Sequence, residues 1–132
     1  MSERDEYLLE WVRKAEEDYE AALTLFRRRA RPLPSATCFH CQQCAEKYLK
    51  ALLVRHGLEV PRTHDLRELR RLLITAEPAV DLITDALLLL NPYAVEFRYP
   101  GEEATVEEAR EAVAAVKAVR RFVRSRLGLE KP

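Results

Sequence analysis

This sequence predicts an all-α fold, a four- to five-helix up-and-down bundle, on three observations. Glycine occurs only three times in 132 residues, and a glycine weakens a helix interior by its large loss of backbone freedom on folding. Ala, Leu, Glu and Arg dominate instead, and all four are strong helix formers. Apolar residues then recur at three- and four-residue steps over long stretches, and Pro or Gly marks most of the breaks between them. The length fits one domain, residues 1–132, around a single core.

The first helix is expected from about Arg4 to Arg29. Leu8, Val12, Ala15, Tyr19, Ala22, Leu23 and Phe26 form its inner face, with Trp11 beside them. Pro32 and Pro34 stop it, because proline cannot continue the backbone ladder. The central helix follows as Ser35–Gly57, with Ser35 as N-cap and Gly57 at the C-terminal cap. Leu58–Arg62 is a short connector. A third helix starts at Thr63-His64-Asp65, where Asp65 and Glu68 have capping-box spacing and Leu66, Leu69, Leu72 and Leu73 supply the apolar stripe.

Pro78 opens the fourth helix, which carries Val80, Leu82, Ile83 and the run Ala86–Leu90. A helix apolar nearly all round calls for burial on several sides, in the core and against a partner. Asn91-Pro92 interrupts it, Asn91 capping a kink or a fresh short helix through Tyr93–Phe97. Thr105 and Glu108 form a second capping box that opens the last helix, and Gly128 ends it. Short connections on both sides of the central helix favour antiparallel neighbours.

Composition narrows the function classes. The 22 basic and 22 acidic residues cancel, so any nucleic-acid contact must use a local patch. Arg27, Arg28, Arg29 and Arg31 make one such patch, and Arg120, Arg121, Arg124 and Arg126 another; both read first as solvated helix ends. No apolar run approaches the ~18 residues of a membrane span, and the first residues lack the pattern of a signal peptide. Three cysteines without a secretion signal fit the reducing cytoplasm. Cys38, Cys41 and Cys44 have a metal-like spacing, but on a regular helix they climb about 9 Å and spread over about 120°. They are expected to be packing residues, with no metal and no cofactor.

Polar residues on the central helix carry the chemistry. Gln42 sits on the apolar side, so it must meet polar groups from another helix, a second subunit or a ligand. Glu46 and Lys50 have the spacing of a helix salt bridge, while Lys47 reads as solvated. Arg62, His64 and Asp65 gather where a helix begins, a place suited to an anion. Arg98 needs a partner, which Glu46, Asp65 or a phosphate would provide.

Three pieces occur in order: C-F-H-x-Q-Q-x-A-E-K-x-L-K-A-L-L, then G-x-x-x-P-R-T-H-D-L, then F-R-Y-P at 97–100. Together they resemble the HEPN domain (higher eukaryotes and prokaryotes nucleotide-binding) over nearly the whole chain. The nuclease branch of that family resembles a metal-independent RNase built on an Arg-x(4–6)-His pattern. That spacing is absent at His40, His56 and His64, and no histidine follows Arg98. Ribonuclease activity is therefore disfavoured and no catalytic residue is assigned. The resemblance instead implies a small stand-alone module that binds a nucleotide or acts with a minimal nucleotidyltransferase, in a toxin–antitoxin-like pair. A homodimer is expected, RNA is the less favoured ligand, and a purely structural dimer is a further alternative. The cleft would be lined by Gln42, Gln43, Glu46, Lys50, Arg62, His64, Asp65, Arg98 and Tyr99. Within it, Arg98 and Lys50 would hold charge, Asp65 would orient His64, and Tyr99 would stack on a base or sugar.

Overall fold

The computed structural model describes residues 1–94 and 99–129. Those residues form an all-helical bundle with five α-helices: α1 (Glu3–Phe26), α2 (Pro34–Arg55), α3 (Leu66–Leu73), α4 (Thr84–Leu90) and α5 (Val106–Arg126). Two 3-10 segments, Pro78–Ile83 and Asn91–Ala94, flank α4.

Local chemistry accounts for most helix ends. Ser2 and Asp5 make a capping box at α1, and Thr105 and Glu108 make the expected one at α5. Gly57 takes φ +69° just past α2. The Leu58 N–H then donates to the Leu53 carbonyl and the Gly57 N–H to that of Val54, a Schellman ending that satisfies two orphan carbonyls. Gly128, at φ +72°, closes α5 in the same way. The first helix stops at Phe26, three residues short of the expected Arg29, because the chain turns through Arg31 at φ +49° before Pro32.

Three caps differ from expectation. Ser35 does not cap α2: Leu33 is the cap residue and makes no side-chain bond, while Pro34 occupies the first turn with its φ preset for a helix. The Ser35 hydroxyl accepts instead from the Ala104 N–H at 2.8 Å, fastening the start of α2 beside the start of α5. Asp65 does cap α3, taking the Arg67 N–H at 2.9 Å, but Glu68 pairs with Arg71 rather than completing a box. The other cap comes from far away in sequence. Asn91 accepts from the Leu66 N–H at 2.7 Å and donates to Asp65 at 3.1 Å, so it caps α3 rather than a new helix of its own.

Side-chain contacts fix the helix directions. Asp18 on α1 meets His40 and Lys47 of α2, and Glu16 meets Tyr48, so α1 and α2 are antiparallel. Ser35 lies by Ala104, and the Arg55 guanidinium reaches the Leu127 carbonyl, so α2 and α5 run the same way. The α2–α3 step departs from simple alternation. Gln42, early in α2, bonds the His64 carbonyl just before α3, while His56, at the end of α2, bonds Glu77 after α3. Residues 58–65 therefore travel back along α2, and α3 starts again parallel to it. A connector with Pro61 biased towards extended backbone has the reach to do this.

The centre of the bundle is α2, with Tyr48, Leu49, Leu52 and Leu53 fully buried. Cys38, Cys41 and Cys44 lie wholly in this core, none of them in a disulfide. Burial pushes the thiol pKa values of Cys41 and Cys44 far above the ordinary range. The fourth predicted helix is divided. Its first part is 3-10, and Val80, Ile83, Leu87 and Leu90 face the core while Leu82, Leu88 and Leu89 are exposed. Within one chain it is thus buried on one side, not all round. The predicted segment Tyr93–Phe97 begins in the second 3-10 turn; its residues from 95 onward, and Arg98, lie outside the described residues.

Candidate functional site

One buried carboxylate organises the nominated residues. Glu46 and Lys50 project from α2 one turn apart and pair at 2.9 Å, with side chains only 4% and 6% exposed. The Lys50 ammonium also lies 5.4 Å from the centre of the Trp11 ring on α1, a cation–π contact. On its other oxygen Glu46 meets His64 Nδ1 at 2.9 Å. The imidazole itself is 67% exposed. A buried ion pair thus grips an imidazole that reaches into water.

Amides lock the connector beneath that ring. Gln42 is fully buried, donates to the His64 carbonyl at 2.8 Å, and accepts from Gln43 Nε2 at 2.8 Å. This meets the demand for a polar partner on the apolar side of α2 from within the chain, by the returning connector. Asp65, expected to orient His64, is engaged elsewhere. It takes the Arg67 side chain and N–H and the Asn91 amide. Hydrogen bonding by Arg67 holds its carboxyl below the ordinary range. Glu46 does the orienting instead.

The polar stripe of α2 is not solvated either. Lys47 pairs with Asp18 at 2.5 Å and His40 Nδ1 meets the same carboxylate at 2.8 Å. Arg62 is exposed, as is Tyr99, in the turn where its carbonyl accepts from the Glu102 N–H. The structure therefore gathers Gln42, Gln43, Glu46, Lys50 and His64 into one network. Arg62 and Asp65 flank it on the same connector, and Arg98 lies outside the described residues. An open apolar depression of about 450 Å³ lies on the outer side of the connector. Leu58, Glu59, Val60, Pro61, Glu68 and Leu72 line it, none of them nominated for the cleft.

Comparison with known proteins bears on what such a network belongs to. The family model for the HEPN domain matches residues 8–126. The chain belongs to the HEPN domain family. A curated relative in Methanocaldococcus jannaschii, named "Putative toxin MJ1304", is 28% identical over 142 aligned positions, covering 92% of this chain and 91% of its own. No solved structure matches.

Within this HEPN chain, sequence reasoning missed three polar partners that the fold brings in. Trp11 backs Lys50. Asn91 clamps Asp65 and the start of α3. Glu16 on α1 takes a two-pronged bond from Arg120 of α5 at 2.7 and 2.8 Å, together with the Tyr48 hydroxyl. Burial alone would raise the Glu16 pKa, but Arg120 and Tyr48 outweigh it and the carboxyl lies below its usual range. Ala15-Glu16 and Asp18-Tyr19 straddle the edge of the α1 apolar stripe, and acids at that edge were the available signal. No described helix is long and apolar enough to cross a membrane, and among the described residues no cluster gathers ligands for a metal ion.

Proposed function

We propose that this chain is a non-catalytic HEPN module of a toxin–antitoxin-like pair. It acts with a minimal nucleotidyltransferase in the cytoplasm and accepts a nucleotide at the connector around His64. The observation that carries the reading is the exposed His64 imidazole held by a buried Glu46–Lys50 pair, two residues from the exposed Arg62. Ordering a lone surface histidine by burying two charges is costly unless that ring has a task, since desolvating an ion pair offsets much of its attraction. Arg62 supplies a cation suited to phosphate, and Gln42 and Lys50 support the site from beneath. The relative's name, "Putative toxin MJ1304", adds weight to the paired-module reading.

A homodimer is part of the proposal. Gln42 is satisfied inside the chain, so the exposed Leu82, Leu88 and Leu89 face is the surface available for a second copy. Calorimetry with mono-, di- and triphosphate nucleotides tests the site, and light scattering at micromolar concentration tests the dimer. Co-purification with a nucleotidyltransferase encoded beside this chain tests the pairing. Nucleotide binding lost on Arg62→Ala and weakened up to about tenfold on His64→Ala is the expected result; a folded protein that binds no nucleotide defeats the site.

A ribonuclease reading has one observation in its favour. An imidazole with Nδ1 on a carboxylate and its other nitrogen towards solvent is an arrangement used by general bases. Cleavage of single-stranded RNA by wild type, lost on His64→Ala, would replace the binding module by that enzyme.

A further inference from the structure

We infer that His64 reads a ribose hydroxyl of the ligand, so that the site prefers ribonucleotides to nucleotides lacking both ribose hydroxyls. The inference rests on the nucleotide-binding reading above and adds the ligand class. It starts from hydrogen-bond inventory. A carboxylate accepts and does not donate, and Glu46 is held in that role by the Lys50 ammonium on its second oxygen. The proton in the His64–Glu46 bond must therefore sit on Nδ1. In the neutral ring this leaves Nε2 with a lone pair and no proton. The ring is 67% exposed, so in its neutral form it offers a ligand an acceptor at Nε2.

An acceptor does not bind a phosphate oxygen; it binds a donor. The same connector carries a phosphate-type donor in Arg62, and two residues apart along any backbone means at most about 7 Å between their Cα atoms. A nucleotide has its ribose hydroxyls close to its phosphate, whereas the donors on its base lie farther off. Arg62 on the phosphate and Nε2 on a ribose hydroxyl use that spacing together. Gln42 keeps the connector in place by holding the His64 carbonyl.

The molecule contains its own contrast. His40 is held through Nδ1 by Asp18, but His56 is held through Nε2 by Glu77. Neutral His40 and His64 must carry the proton on Nδ1, and His56 on Nε2. Long-range proton–nitrogen correlation spectra at pH 8.5, with each ring assigned by substitution, read this directly and without any ligand. Glu46→Gln inverts the arrangement at His64. The amide oxygen accepts from Lys50 and the amide N–H donates to Nδ1, which forces the proton to Nε2.

The binding test compares ADP with 2′,3′-dideoxy-ADP by calorimetry at pH 8.5. Wild type is expected to bind ADP up to about tenfold more tightly, the upper end of the net value of one hydrogen bond exchanged with water. His64→Ala should bring the ratio close to one. Glu46→Gln leaves an Nε2–H that can still donate to the hydroxyl oxygen, so that variant serves the spectra and not the ratio. His64→Ala alters an exposed side chain, so the variant is expected to stay folded and the ratio to be readable. Equal wild-type affinities for the two nucleotides, or a neutral His64 protonated on Nε2, would overturn the inference and leave nucleotide binding standing. No binding of either nucleotide would defeat the underlying reading, and the inference with it.

Discussion

Two carboxylates in this molecule are built alike and do different things. Glu46 takes a lysine and a histidine, and Glu77 takes Arg126 at 2.6 Å and His56 at 3.0 Å. Both acids are buried. At Glu77 the histidine is mostly covered and the arginine is half exposed, whereas at Glu46 the lysine is buried and the histidine is exposed. Glu77 joins the ends of α2 and α5 to the segment after α3, and each of its partners lies on a different element. Glu46 and Lys50 belong to one helix, and the partner from elsewhere is the exposed ring. The same three-group chemistry thus serves as a brace at one end of the bundle and as a holder for a surface imidazole at its side. Which of the partners reaches water decides between the two.

The largest break in that comparison comes from Glu46→Ala. It leaves Lys50 buried without a counter-charge, so a loss of about 3–5 kcal/mol is expected in urea or guanidinium unfolding. Glu46→Leu combined with Lys50→Met should recover most of it. A double variant as unstable as the single one would show that packing, not the orphaned charge, is at stake.

Glu77→Ala should cost less, about 1–3 kcal/mol, because Arg126 and His56 have partial access to water when they lose their acceptor. Acid sharpens the same point. Burial pushes the Glu77 pKa up, but hydrogen bonds from His56 and Arg126, with their charge, leave it below the ordinary value. A carboxyl whose folded pKa is depressed stabilises the fold above its unfolded value, near 4.3. That contribution disappears as pH falls through the lower folded value. The stability difference between wild type and Glu77→Gln should hence be constant near neutrality and shrink below about pH 4.3. A difference unchanged down to pH 2 would mean that Glu77 is not linked to acid unfolding.

The smallest effects separate the two histidines. His56→Ala should cost about 1 kcal/mol as Glu77 loses a donor in a buried setting. His64→Ala should stay within about 0.5 kcal/mol in thermal unfolding, since its ring is mostly in water. Equal losses at the two positions would erase the distinction between brace and holder.

Much was legible in the sequence for a physical reason: the deciding interactions were local. The all-α class, the existence of each helix, the stops at Gly57 and Gly128, the box at Thr105 and the Glu46–Lys50 pair all depend on residues within one or two turns. The need of Gln42 for a polar partner was also visible, because a buried amide in an apolar stripe carries that demand wherever it sits.

Only the tertiary structure decided which groups answered such demands. Ser35 looked like a cap and became a tie to Ala104, 69 positions away. Asn91 capped a helix 25 positions before it, and Asp65 turned to Arg67 and Asn91, leaving His64 to Glu46. The outcomes at His64, Asp65 and Asn91 depend on the connector at 58–65 running back along α2, so that α3 is parallel to it, and the Ser35 tie depends on α5 lying parallel to α2. No periodicity or capping signal encodes that direction. A cap, a stripe or a stop is written in the backbone's nearest neighbours, whereas the partner of a long polar side chain is whatever the packed helices bring within 3 Å.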